Sequence, residues 1–177
     1  FGASKRWGNF PSISVGWRAS EEEFIKKITW LSNLAVRASY GVTGNNRIPR
    51  YSYITSVLPV YAIIGDGLVN GYVPNSTTLG NAELGWEQTN ASNIGITFGI
   101  LQNRLTFDVD VYDKRTKQLL LRSPIVNIAG QDNEWANVGD ISNKGIDVQV
   151  NALVLRKRNL TWAVTANASH NKSNLLD

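Results

Sequence analysis

Residues 93–112 read NIGITFGILQNRLTFDVDVY, and the alternation in this stretch decides the fold. Ile94, Ile96, Phe98 and Ile100 alternate with Asn93, Gly95, Thr97 and Gly99. Leu105, Phe107, Val109 and Val111 then alternate with Thr106, Asp108, Asp110 and Tyr112. Successive side chains of a strand point to opposite faces, so each half is a strand with one apolar and one polar face. The LQN between them, at 101–103, leaves room only for a tight turn. Such a turn makes the two strands antiparallel neighbours.

Working outward, the same period recurs four times. Ile13, Val15 and Trp17 alternate with polar or small residues, as do Leu34, Val36, Ala38, Tyr40 and Val42. Downstream, Ile146, Val148 and Val150 form one set, and Leu160, Trp162, Val164 and Ala166 another. The expected architecture is all-β: an antiparallel meander of about six strands, with 84–100, 104–118, 144–155 and 160–170 each pairing with the next. A second tight turn is expected at 156–159. Ser20 and Glu23 have capping-box spacing, with Lys26 and Lys27 following, so a short helix is expected over 21–28. Two long connections remain, at 44–83 and 119–143. Connections beyond about 12–15 residues are uncommon in compact domains and point to function.

Composition narrows the classes. The chain has 177 residues, 42% hydrophobic and 18% charged, with six Trp, six Tyr, five Phe, no Cys and one His. So many aromatics and so few charges exclude a disordered segment. Without Cys there is no disulfide framework, thiol nucleophile or Cys-based zinc site. His170 alone offers little for a metal or a general base. The net charge of +4 is scattered, which argues against a nucleic-acid partner. Apolar runs such as 152–155 are far below the roughly 20 residues of a membrane helix.

Catalytic readings fare no better. Asp108 and Asp110 share a strand face and invite a paired-carboxylate reading, but lining a hydrated wall and pairing with Arg or Lys accounts for them. The GDG at 65–67 lacks the Lys of a phosphate loop. The chain is not expected to be an enzyme or to hold a cofactor or metal.

Short turns at one end, long loops at the other and strands of about ten alternating residues are the marks of an outer-membrane β-barrel. A soluble carbohydrate-binding or adhesive β-sandwich is the alternative. A sandwich's outer face usually carries many Lys and Glu, whereas the polar positions here are mostly Ser, Thr, Asn, Gly and Gln. Trp17, Trp30, Trp86 and Trp162 sit near strand ends, where an interfacial girdle belongs. Ile96, Phe98, Phe107, Val109, Val148 and Val164 are then expected to face lipid. Arg37, Asp108, Asp110 and Asp147, with Thr97 and Thr165, are expected to line the lumen. Single-chain barrels begin at eight strands, so residues 1–177 are expected to be one partial barrel segment.

Three stretches carry a resemblance: LSNLAVRASYGVTGNN (31–46), TLGNAELGWEQTNASNIGITFGILQNRLTFDVDVYDKRTKQLLLRSPI (78–125) and NVGDISNKGIDVQVNA (137–152). With FPSISVGWRASEEEF (10–24), they resemble the C-terminal barrel half of SusC/RagA-type TonB-dependent outer-membrane transporters of Bacteroidetes. The N-terminal plug of that family has no counterpart in these residues. The resemblance implies an outer-membrane location and import of glycan or peptide fragments. It also implies a SusD-type surface lipoprotein as lid and TonB acting through the plug. The loop aromatics Tyr51, Tyr53, Tyr61, Tyr72 and Trp135 are the candidate contacts to substrate or partner, since rings offer flat apolar faces with a polar handle.

Overall fold

The computed structural model describes residues 5–74, 78–126 and 131–176. In chain order the elements are β1 (Ser12–Trp17), a 3-10 turn (Ala19–Glu21), α1 (Glu23–Lys26), β2 (Leu31–Asn45), β3 (Val57–Ile64) and β4 (Gly67–Pro74). Then follow β5 (Thr78–Leu79), β6 (Glu87–Ile100), β7 (Leu105–Lys117), β8 (Leu120–Pro124), β9 (Asn133–Asn137), β10 (Asp140–Lys157) and β11 (Leu160–Leu176).

Six strands make one sheet in the order β1-β2-β6-β7-β10-β11. Every neighbouring pair is antiparallel, as the tight turns require. From β6 onward these strands are 14, 13, 18 and 17 residues long. A tilted strand needs only about 9–11 residues to cross a bilayer, so each has length to spare at both ends.

The register sorts the side chains cleanly. One row on the first face reads Val36, Ile96, Val109, Val148 and Ala168, and the next reads Leu34, Phe98, Phe107, Val150 and Ala166. Phe98 and Phe107 stack directly across the strands, with centroids 4.6 Å apart. On the opposite face, Arg37, Gly95, Asp110, Asp147 and Ser169 share a row, as do Ala35, Thr97, Asp108, Gln149 and Asn167.

No second sheet among the described residues covers the apolar face. Among the described residues the only buried hydrophobics are Ala19 and Leu84. Ile13, Ile94 and Val111 are 67%, 57% and 50% exposed. A sandwich would have buried these rows, and the structure does not support that alternative. Contiguous apolar surface on this scale marks a membrane or protein interface.

Two local expectations are modified. The connector holds a single helical turn, Glu23–Lys26, within the expected 21–28, but without the expected side-chain cap. Glu22 sits in extended backbone (ψ 138°) between the 3-10 turn and α1, and Trp17 Nε1 donates to its carboxylate at 3.1 Å. Ser20 makes no cap and approaches Asn33 Oδ1 at 3.5 Å instead. Trp86 differs from the other strand-end tryptophans, because it packs edge-on against Phe10 at 5.2 Å.

The long connections carry sheets of their own. β3 and β4 form a hairpin, and β5, β9 and β8 form a three-stranded sheet. In that small sheet β5 runs parallel to β9, so the first connection is stitched to the second.

Candidate functional site

The polar face of the large sheet is organised around Arg37. Its guanidinium reaches across β6 to Asp110 on β7, with Nη2 at 2.5 Å from Oδ2 and Nε at 3.3 Å from Oδ1. Gly95 lies beneath this bridge, and a Cβ there would collide with both Arg37 and Asp110. Arg37 Nη1 also donates to Thr97 Oγ1 at 2.9 Å, and Thr97 passes a hydrogen bond to Asp108 Oδ1 at 2.6 Å. One cation thus organises two carboxylates and a hydroxyl over three strands.

Asp147 lies directly opposite Asp110 and accepts a hydrogen bond from Ser169 Oγ at 2.6 Å. Thr165 donates to Asn151 Oδ1 at 2.8 Å. An open depression of about 550 Å³ runs over this face, lined in part by Ser14, Ser39, Asn93, Asp110, Tyr112 and Asp147. The sequence-read wall residues therefore share one polar face, with Arg37, Asp108 and Asp110 in one network and Asp147 beside it. Among the described residues no cluster of His, Asp and Glu has metal-binding geometry.

The five aromatic candidates divide into two groups. Tyr51 and Trp135 line one open cavity of about 510 Å³ together with Arg50, Ile54 and Thr78. Tyr51 and Tyr53 share a neighbouring depression of about 290 Å³. Tyr51 has φ 66°, a left-handed conformation rare for a bulky residue. Gly80 closes this region: its N–H donates to Thr55 Oγ1 at 2.9 Å, and a Cβ there would strike the Ile54 backbone. Tyr61 and Tyr72 stand apart on the β3–β4 hairpin, both highly exposed and on the same face.

Residues that position these loops escaped the sequence reading. Asn137 accepts from the Gly85 N–H at 2.7 Å and donates to the carbonyls of Gly85 and Gln118, each at 3.0 Å. Asn81 Nδ2 donates to the Trp135 carbonyl at 2.9 Å. Glu87 accepts from Asn45 Nδ2 at 2.9 Å and from the Leu120 amide at 3.1 Å. The only signal was local, in the LGWEQT and NVGD segments, since a single polar clamp leaves no periodic trace.

The comparisons with known proteins agree with this geometry. The model of the family "TonB dependent receptor-like, beta-barrel" matches residues 1–175. TonB-dependent receptor P39 of Formosa agariphila is 39% identical over 177 residues, which are the whole chain but 17% of that protein. TonB-dependent receptor SusC of Bacteroides thetaiotaomicron is 31% identical over 187 aligned residues, covering 99% of the chain and 18% of that protein. The solved structure of the RagAB peptide transporter superposes with a TM-score of 0.85 at 28% identity, over 99% of the chain and 19% of its own. The chain therefore spans less than a fifth of the length of these relatives. A sheet with one uncovered apolar face and one hydrogen-bonded polar face, matched over nearly its whole length, places the chain in the TonB-dependent receptor β-barrel family, among relatives of the SusC/RagA type.

Proposed function

We propose that residues 1–177 are a wall segment of an outer-membrane importer of nutrient oligomers, glycan or peptide fragments. It works with a SusD-type surface lipoprotein and with TonB acting through a plug. One observation carries the reading: an antiparallel sheet of six strands, five of them 13 residues or longer and so able to cross a bilayer, presents an uncovered apolar face and a hydrogen-bonded polar face. Hydrocarbon accepts the first, and a hydrated lumen suits the second. Family membership supports it, as do relatives named SusC and RagAB peptide transporter. The wall residues serve structure and solvation, and the chain's part in import is not catalytic.

Orientation follows from the turns. Short turns lie on the periplasmic side of such barrels, so the ends at 101–104 and 158–159 are periplasmic. The β3–β4 hairpin and the β5-β9-β8 sheet then emerge outside, where Tyr51, Tyr53, Tyr61, Tyr72 and Trp135 meet substrate or lid. Deleting 57–74 from the full-length protein should leave a folded barrel in the outer membrane but weaken uptake or lipoprotein retention. Unchanged uptake together with unchanged co-purification of the lipoprotein would exclude the hairpin from contact. Protease added to whole cells should cut within 44–83; cleavage only after permeabilisation reverses the orientation.

A further inference from the structure

The apolar face ends abruptly toward the long loops. Above Ile94, Val111 and Ile146, the next row across the sheet is Ile13, Tyr40, Ser92, Asp113, Lys144 and Lys172. Arg115 stands two residues farther along β7, on the same face by strand alternation. Lys144 contacts Asp113 at 2.8 Å, with both side chains about half exposed. Lys144 also lies directly opposite Lys172, a like-charge pairing that destabilises a sheet unless an anion intervenes. Three cations thus meet one carboxylate at the rim. Beyond them, the Asp140 carboxylate accepts from the Gln118 amide at 3.2 Å.

Two depressions lie just beneath this rim, on the apolar side. One, of about 330 Å³, runs between Ile94, Val111, Asp113 and Lys144. The other, of about 320 Å³, runs between Val15, Ala38, Tyr40 and Ile94. They share Ser92 and Ile94. The small side chains Ala38 and Ser92 leave a trough between larger neighbours.

We propose that this rim is a seat for a phosphate-bearing lipid of the outer leaflet. Lys144, Lys172 and Arg115 hold the phosphate, and acyl chains lie in the troughs over Ala38 and Ser92. The inference rests on the membrane reading above, because only a bilayer places headgroups at the end of an apolar band. Charge complementarity selects the occupant: a basic cluster at a membrane surface attracts anionic headgroups, and apolar troughs continuous with it fit chains that free phosphate lacks.

The test uses the full-length protein, purified in non-ionic detergent and titrated with diphosphorylated lipid A, with the same lipid dephosphorylated, and with inorganic phosphate as competitor. Native mass spectrometry reads the lipid retained. Lipid A should be retained about tenfold more strongly than its dephosphorylated form, and K144Q/K172Q/R115Q should lose about that factor. K114Q, one residue from Arg115 but on the polar face, should retain lipid A normally. Heat-modifiable gel migration establishes that each variant is folded. Equal retention by folded triple variant and parent, equal loss in K114Q, or full displacement by inorganic phosphate overturns the seat. A protein that stays monomeric without detergent and retains neither lipid overturns the membrane reading itself, and the seat with it.

Discussion

The six-stranded wall and the β3–β4 hairpin are both antiparallel β-structure, yet they follow opposite rules. In the wall the strands divide apolar from polar by parity over their middle, and neighbours keep the division in register between the shifts at Leu31/Asn33 and Leu153/Leu155. In the hairpin both faces are apolar. Pro59, Tyr61, Ile63, Leu68 and Tyr72 occupy one, interrupted by Asn70, and Leu58, Val60, Ala62, Val69 and Val73 the other. Asp66, in the turn, is its sole charge. An isolated two-stranded hairpin is marginal in water, so a hairpin that exposes Ile63 and Tyr72 at 80% and 73% is built to be covered. The difference teaches that parity records a fixed partition between two solvents, whereas uniform apolarity records a surface awaiting another surface.

This contrast can be broken at the wall most severely. Val109→Arg places a charge in the middle of the apolar face and should destabilise the full-length barrel by roughly 2–4 kcal/mol in unfolding titrations from vesicles. A change below about 0.5 kcal/mol would remove Val109 from the bilayer. Gly95→Val drives a side chain into the space taken by Arg37 and Asp110. Overpacking of that kind should cost about 1–3 kcal/mol by the same titration, and Ala, with one carbon, should cost less than Val.

Smaller effects sharpen the comparison. A double-mutant cycle of Arg37→Ala and Asp110→Asn should give a coupling of about 0.5–1 kcal/mol, because the pair is partly exposed to solvent. A coupling near zero would make the bridge over Gly95 incidental. Ile63→Thr, on the hairpin, should move barrel stability by no more than about 0.5 kcal/mol while lowering lipoprotein retention. An unfolding midpoint shifted as far as that of Val109→Arg would show the hairpin to be part of the wall.

How much was legible in the sequence follows from the same division. The wall was readable because a strand between two solvents repeats every two residues, and residues such as Phe98 and Phe107 could be assigned to a face before their stacking was visible. Arg37 and the three aspartates could be placed on one polar face of the sheet, but the pairing of Arg37 with Asp110 could not be read. That pairing depends on register across β6 and on the missing side chain of Gly95. The strands inside the long connections left no alternation, since VLPVYAII is apolar at nearly every position and β5, β8 and β9 have 2, 5 and 5 residues. Short strands held by clamps such as Asn137 are specified by single contacts, which have no period to read.

The tight turns also bear on the order in which such a wall is assembled. Ile100 leads to Leu105, and Lys157 to Leu160, within a few residues, whereas Asn45 is separated from Glu87 by a long excursion. Closing a loop of about 40 residues carries roughly 2 kcal/mol more chain entropy than closing one of about four. β6 with β7, and β10 with β11, are therefore the ready-made local units, and the seams at β2–β6 and β7–β10 join later. Pulse-labelled hydrogen exchange during refolding of the full-length barrel should show protection between β6 and β7 before protection between β2 and β6. The parallel pairing of β5 with β9 then acts as a late fastener, since it can form only after both seams have brought the two excursions to the same end of the sheet.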